Sequence, residues 1–171
     1  MKLHIGCKGG KIPGFKRVDA VQWGDVDYVR DASDMSCFKD GKIEEIYASH
    51  ILEHFPAKKT QDVLGEWSRI LKPGGILHLS VPDFDRAVEC YNATGGVFGQ
   101  FLQDLIHGGQ NYDLDVHMRS FTYPLLSAMM SKAGFSRIDR VEWLPYALGD
   151  CSTLAATWDG KPISINVKAV K

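Results

Sequence analysis

Residues 64–84 read LGEWSRILKPGGILHLSVPDF, and this run decides the fold. Val63, Leu64, Trp67, Ile70 and Leu71 recur at i, i+1, i+4, i+7 and i+8, which lays one apolar stripe along a helix between Pro56 and Pro73. Pro56 suits a first turn, where its missing N–H is not needed. Pro73 disfavours helical geometry at Lys72, and Gly74-Gly75 permits reversal. Ile76 to Val81 then reads as a strand, apolar except for His78 and Ser80, as expected of a central strand covered on both faces. A helix that turns straight back into a buried strand is the repeating step of an α/β fold.

Working outward, Leu3–Ile5 ends at Gly6, Arg17–Ala20 carries Asp19, Val26–Val29 precedes Asp31, and Glu45–Ser49 ends at His50; each reads as a short strand meeting a polar terminus. On the other side, Leu125, Leu126, Met129, Met130 and Ala133 form a second helical stripe, its Met pair read as core packing, with Thr122 as cap and Gly134 as stop. Ser136–Trp143 and Pro162–Val170 read as two strands able to pair antiparallel at a sheet edge, the latter preceded by the turn dipeptide Asp159-Gly160. Residues 144–158 are ambiguous: LPYALGD (144–150) suggests a loop, while CSTLAATW (151–158) fits either strand or helix. Residues 84–120, with Val97–Ile106 bracketed by Gly95-Gly96 and Gly108-Gly109, read as an insertion over the sheet's edge.

The chain has 171 residues, which fits one domain, and 44% hydrophobic with 24% charged residues is a globular composition. A formal charge of −1 gives no overall field for phosphate backbones or anionic lipid, so neither nucleic acid nor membrane is expected as a partner. No apolar stretch approaches the roughly 20 residues of a membrane span, and MKLHIGCKGG lacks a hydrophobic signal segment, so a cytoplasmic location is expected. Cys7, Cys37, Cys90 and Cys151 are scattered without a C-x-x-C pair, which fits free thiols and no structural zinc.

In open α/β sheets ligands bind beyond the carboxyl ends of the strands, so the residues ending each strand are the candidates. Gly6-Cys7-Lys8-Gly9-Gly10 can bring backbone amides close to a ligand, but Lys8 and Lys11 stand where a dinucleotide fingerprint needs glycine, and no Gly-Lys pair fits a phosphate loop. Asp19 offers a carboxylate to a ribose diol, and Asp31-Ala32 a carboxylate and an amide to an adenine. His50-Ile51-Leu52-Glu53-His54 also matches H-x-x-E-H, in which two histidines one helical turn apart bind zinc beside a general base. Pro56 follows too soon for that helix, and the chain is too short for the usual protease domain; no metal site is expected.

Taken in order, LHIGCKGG, FKRVDA, RDASDM, IYASHILEHF and LGEWSRILKPGGILHLSVPDF resemble the class I S-adenosylmethionine (SAM)-dependent methyltransferases, in particular their small type 11-like branch. The resemblance runs through about half the chain. It implies a single-domain, Rossmann-like three-layer sandwich over residues 1–171: a mostly parallel seven-stranded sheet ending in an antiparallel C-terminal hairpin, with residues 84–120 as substrate cover. It further implies in-line methyl transfer from SAM to a small molecule or glycan. Gly6, Cys7 and Gly10 would border the cofactor's methionine part, Asp19 its ribose, Asp31 and Ala32 its adenine, and Ser49 with His50 its sulfonium.

Among His50, His54, His107 and His117, whose ordinary pKa near 6.5 suits proton removal, His54 and His117 are favoured as catalytic bases. His4 and His78 lie inside strands and read as structural. Three departures from the family pattern stand out. His4 replaces a frequent acidic residue, Lys8 replaces the middle glycine, and the interval from Gly10 to Asp19 is too short for the usual crossover helix. These departures motivate a second reading, a catalytically silent binding module on the same fold.

Overall fold

The computed structural model describes residues 1–146 and 157–171. Its strands are β1 (Lys2–Ile5), β2 (Phe15–Asp19), β3 (Tyr28–Val29), β4 (Ile43–Ser49), β5 (Leu71–Pro82), β6 (Arg137–Val141), β7 (Thr157–Trp158), β8 (Lys161–Pro162) and β9 (Ser164–Val170). Its helices are α1 (Thr60–Ile70), α2 (Phe84–Ala93), α3 (Gln100–His107) and α4 (Tyr123–Lys132), with one 3-10 turn at Leu52–His54. Seven strands form one sheet in the order β3-β2-β1-β4-β5-β9-β6. Neighbours from β3 to β5 are parallel, and β9 runs antiparallel to both β5 and β6. The fold class read from the sequence is the one observed.

Side chains alternate along the strands with the two-residue period of the pleat. Leu3, Ile5, Ile46, Ala48, Leu77, Leu79, Val81, Ile165, Val167 and Ala169 join one core with Val63, Leu64, Trp67 and Ile70 of α1 and Leu126, Met129 and Met130 of α4. The intervening positions are polar: His4, Arg17, Glu45, Ser49, His78, Ser80 and Asn166, all buried. His78 is paired there with Glu45 through one ring nitrogen, Nε2 to Oε1 at 3.0 Å. The strand around His78 is thus two-faced rather than apolar on both sides.

The interval between β1 and β2 holds only turns, so the parallel pair is joined without a crossover helix, as its length predicts. Helix α1 begins at Thr60 rather than at Pro56; the Pro56 carbonyl accepts from the amides of Lys59 and Thr60 and so forms a lead-in turn. The helix ends at Ile70, where Leu71 is already extended ahead of Pro73. Thr122 caps α4 by position, without a side-chain hydrogen bond. Gly134, with φ at +96°, carries the chain out of the helix. Asp159 and Gly160, both at positive φ, turn a small β7–β8 hairpin ahead of β9. Of residues 144–158, those from 147 to 156 lie outside the described residues, as does Cys151. Among the described residues, no helix is long and apolar enough to cross a membrane.

Candidate active site

The strand order reverses between β1 and β4, because the chain winds outward through β2 and β3 and then returns to the other side of β1. Loops leaving the carboxyl ends of β1 and β4 therefore diverge and leave a crevice. A cavity of about 840 Å³ opens there. Gly6, Cys7, Gly10, Asp19, Asp31, Ala32, Ser49 and His50 all line it, together with His54 and His117. His107 is exposed and lies outside this lining.

The turn after β1 is built for close approach. Gly6 has φ at +69°, and a β-carbon there would meet the Ile51 side chain at 3.0 Å. Lys8 adopts φ at +41° despite its side chain. Its amide donates to Asp19 Oδ2 at 2.8 Å, while the Val21 amide donates to Oδ1 at 3.0 Å, so Asp19 ties the first two strand ends together. Asp31 is held similarly: its Oδ1 accepts from the amide and hydroxyl of Ser33, leaving the other oxygen for the cavity. The Ala32 carbonyl accepts from Trp67 Nε1 at 2.9 Å, and Arg69 binds Glu66 and the carbonyls of Met35 and Phe38. The loop lining the cavity is thereby bolted to α1.

On the opposite side, β4 ends at Ser49 and the chain kinks at His50, with φ at +52° and its amide donating to the Ser80 carbonyl. The H-x-x-E-H segment is not a helix: His50 precedes a single 3-10 turn, so its two histidines do not share the helical face that a zinc protease requires. His50 Nε2 instead lies 2.8 Å from Ser164 Oγ, with Nδ1 3.1 Å from Glu53 Oε1.

Residues 108–118 cross the mouth. Gly108 is needed where they start, since a β-carbon would come within 2.5 Å of the Asp115 carbonyl oxygen. The Met118 amide donates to the Glu53 carbonyl, and His54 Nδ1 lies 3.0 Å from the Val116 carbonyl oxygen. His117 Nδ1 lies 3.1 Å from that of Leu105. His54 and His117 meet edge to face, ring centroids 4.9 Å apart.

Burial pushes the Glu53 carboxyl up, but the surrounding imidazoles, His50 foremost, outweigh it and hold the net shift down. Burial lowers His117, against the pull of Glu53. Glu53 is thus ionised and His117 neutral near pH 7. A carbonyl oxygen can only accept, so in their neutral forms His54 and His117 carry hydrogen on Nδ1 and leave Nε2 bare. Such a pair can accept a proton or a cation.

Tyr112, Arg30, Phe101 and Asp115 also line the cavity. Arg30 belongs to the RDASDM segment, whereas no motif marks Phe101, Tyr112 or Asp115, which reach the cavity only through the fold. The Lys8 ammonium sits 5.3 Å from the Tyr112 ring centroid, linking the two sides of the mouth.

Residues 15–79 match the family model described as a methyltransferase domain. No curated protein matches the sequence significantly. Among solved structures, a SAM-dependent methyltransferase from Archaeoglobus fulgidus superposes with a TM-score of 0.63 at 12% identity, over 99% of this chain and 85% of that one. A SAM-dependent methyltransferase from Thermotoga maritima gives 0.61 at 18%, over 99% and 81%. The 1,6-didemethyltoxoflavin-N1-methyltransferase of Burkholderia thailandensis, solved with 1,6-didemethyltoxoflavin and S-adenosylhomocysteine bound, gives 0.60 at 17%, over 99% and 70%. At these identities the shared property is the fold.

The residues present fit SAM. The cavity lies within the roughly 300 to 1,000 Å³ of small-molecule sites, and Asp19 and Asp31 place two carboxylates on its lining.

Proposed function

We propose that this chain, a SAM-dependent methyltransferase with the class I fold, methylates a small molecule or glycan held between the turn after β4 and the 108–118 segment. When bound, SAM supplies a sulfonium-activated methyl group, which an acceptor lone pair displaces in line as neutral S-adenosylhomocysteine leaves. The chain's own contribution is mainly alignment, which is worth effective molarities of roughly 10⁵ to 10⁸ M in well-oriented systems.

In this reading Gly6, Cys7 and Gly10 border the methionine part, Asp19 accepts from the ribose hydroxyls, and Asp31 and Ala32 meet the adenine. Ser49 and His50 flank the sulfur. His54 and His117 contact the acceptor, their bare Nε2 atoms accepting its hydrogen bond and then its proton as the methyl arrives. The observation that carries the reading is that one cavity gathers all eight proposed cofactor residues and both proposed bases. The Burkholderia thailandensis methyltransferase of similar fold, solved with 1,6-didemethyltoxoflavin bound, supports a small acceptor.

The test is turnover with methyl-labelled SAM over a panel of hydroxylated and aminated small molecules and oligosaccharides. Label transfer that falls by about 10²- to 10⁴-fold in His117→Ala and His54→Ala supports the reading. Folded protein that binds S-adenosylhomocysteine yet labels nothing across the panel, or labels equally well without either histidine, contradicts it and favours a silent binding module.

A further inference from the structure

Glu53 has a consequence for this site beyond methyl transfer. Its side chain is fully buried, and neither carboxylate oxygen has a hydrogen-bond partner among the described residues. His50 Nδ1 is near at 3.1 Å but not aligned as a hydrogen bond, and it answers to Ser164 on its other nitrogen. His117 Nε2 stands 3.9 Å from Oε1. A buried carboxylate with neither oxygen hydrogen-bonded, whose nearest ionisable neighbour is the His50 ring at 3.1 Å, costs several kcal/mol by the usual magnitudes when that ring is uncharged, so a cation fits beside it.

The surroundings offer nitrogen lone pairs rather than donors. Glu53, His54 and His117 each present one ligand atom, and these atoms lie within 4.8 Å of one another. The Nδ1 atoms of both histidines are engaged by backbone carbonyls, of Val116 and Leu105. That is how metal-binding imidazoles are commonly oriented, with the second nitrogen free to ligate. Metal–nitrogen bonds of about 2.1 Å bring ligand atoms to roughly 3 to 3.5 Å apart, so a bound ion would draw the most widely spaced of these atoms together by up to about 1.3 to 1.8 Å.

The structure assigns to Glu53, His54 and His117 a divalent-cation site of two imidazoles and one carboxylate, suited to a first-row transition ion such as Mn²⁺ or Zn²⁺. Three protein ligands leave coordination positions open, and His54 and His117 line the cavity, so those positions are available to an oxygen or nitrogen donor of the methyl acceptor. The ion and a proton are alternative occupants of the same nitrogens. The ion's effect on the acceptor rests on the methyl-transfer reading; the binding of the ion does not.

Chelator-treated protein titrated calorimetrically with MnCl₂ and with ZnCl₂ tests the assignment, alongside S-adenosylhomocysteine titrations of each protein. The expected result is one ion per chain. Affinity should fall in His117→Ala, His54→Gln and Glu53→Gln by more than the roughly 10- to 100-fold that an outer-sphere partner is worth, and stay unchanged in His107→Ala. Should Glu53→Gln fail to fold, the two histidine variants decide. Absence of stoichiometric binding of either ion in protein that still binds S-adenosylhomocysteine overturns the site, as does binding that persists in both histidine variants. Stoichiometric metal without S-adenosylhomocysteine binding leaves the site standing and sinks the methyltransferase reading instead.

Discussion

The indole N–H of Trp67 donates to the carbonyl of Ala32 at 2.9 Å, so a helix outside the cavity lining fixes a residue that belongs to it. Trp67 is fully buried, and its ring also fills the core beneath α1. Trp67→Phe is expected to cost about 1 to 3 kcal/mol, from the unpaired Ala32 carbonyl and the lost volume, measured by denaturant unfolding. S-adenosylhomocysteine affinity should weaken with it. An affinity unchanged in a measurably destabilised variant would show that the Ala32 loop is not part of the cofactor site.

Lys8 marks a place where local preference yields to the site. A non-glycine residue in the left-handed region costs roughly 1 to 2 kcal/mol, which glycine avoids, but glycine adds backbone entropy to the unfolded chain. Lys8→Gly also removes the contact with Tyr112. These effects nearly cancel, so stability should stay within about 1 kcal/mol of the native chain. Lys8→Val, whose branched β-carbon tolerates positive φ poorly, should be clearly less stable by thermal unfolding.

Asp19 has two duties that substitution can separate. It accepts the amides of Lys8 and Val21 and lines the cavity. Asp19→Ala is expected to lose about 1 to 3 kcal/mol of stability and to abolish measurable S-adenosylhomocysteine binding. Asp19→Asn keeps one acceptor oxygen, so it should recover part of the stability while binding remains weak.

Glu45 controls stability in acid. It pairs with Lys2 at 2.7 Å, lies 3.0 Å from His78 and accepts from the Tyr146 hydroxyl. Burial raises its carboxyl, but Lys2 and Tyr146 outweigh burial and hold it below the ordinary value. A depressed folded pKa contributes stability that is present above the ordinary carboxylate range, near pH 4.3, and is lost as pH falls through the folded value. Unfolding measured between pH 6 and 3 should show that loss, and Glu45→Gln should flatten it. Tyr146 has the opposite sign: burial, then Glu45, pushes it up to about 12, so its contribution is full below the ordinary tyrosine value and fades as pH rises toward 12.

The sheet was legible because its strands carry local signals. Ile76–Val81 announces β5, although the strand already starts at Leu71 and runs through Gly74-Gly75; Asp159-Gly160 announces a hairpin, and the short interval after Gly10 announces a missing helix. Boundaries slipped where a turn imitates a helix start, as at Pro56. The proposed cofactor side of the cavity was legible for the same reason, since Asp19, Asp31 and Ser49 each end or follow a strand. The proposed acceptor side was not. His117 reaches His54 only because residues 108–118 fold back over the mouth, a contact spanning 63 positions that no local pattern encodes. Glu53 was visible in H-x-x-E-H, but the fold adds His117, with Nε2 3.9 Å from its Oε1, to the nearer His50 of that segment.

The central claim, that adenosine spans the tips of β1, β2 and β3 with its sulfur toward the turn after β4, is tested most directly by a crystal structure with S-adenosylhomocysteine. Ribose hydroxyls are expected on Asp19, adenine beside Asp31 and Ala32, sulfur next to Ser49 and His50, and open space beyond sulfur bounded by His54 and His117. A ligand seated elsewhere, or crystals soaked at millimolar S-adenosylhomocysteine in which side chains fill the crevice instead, would contradict it.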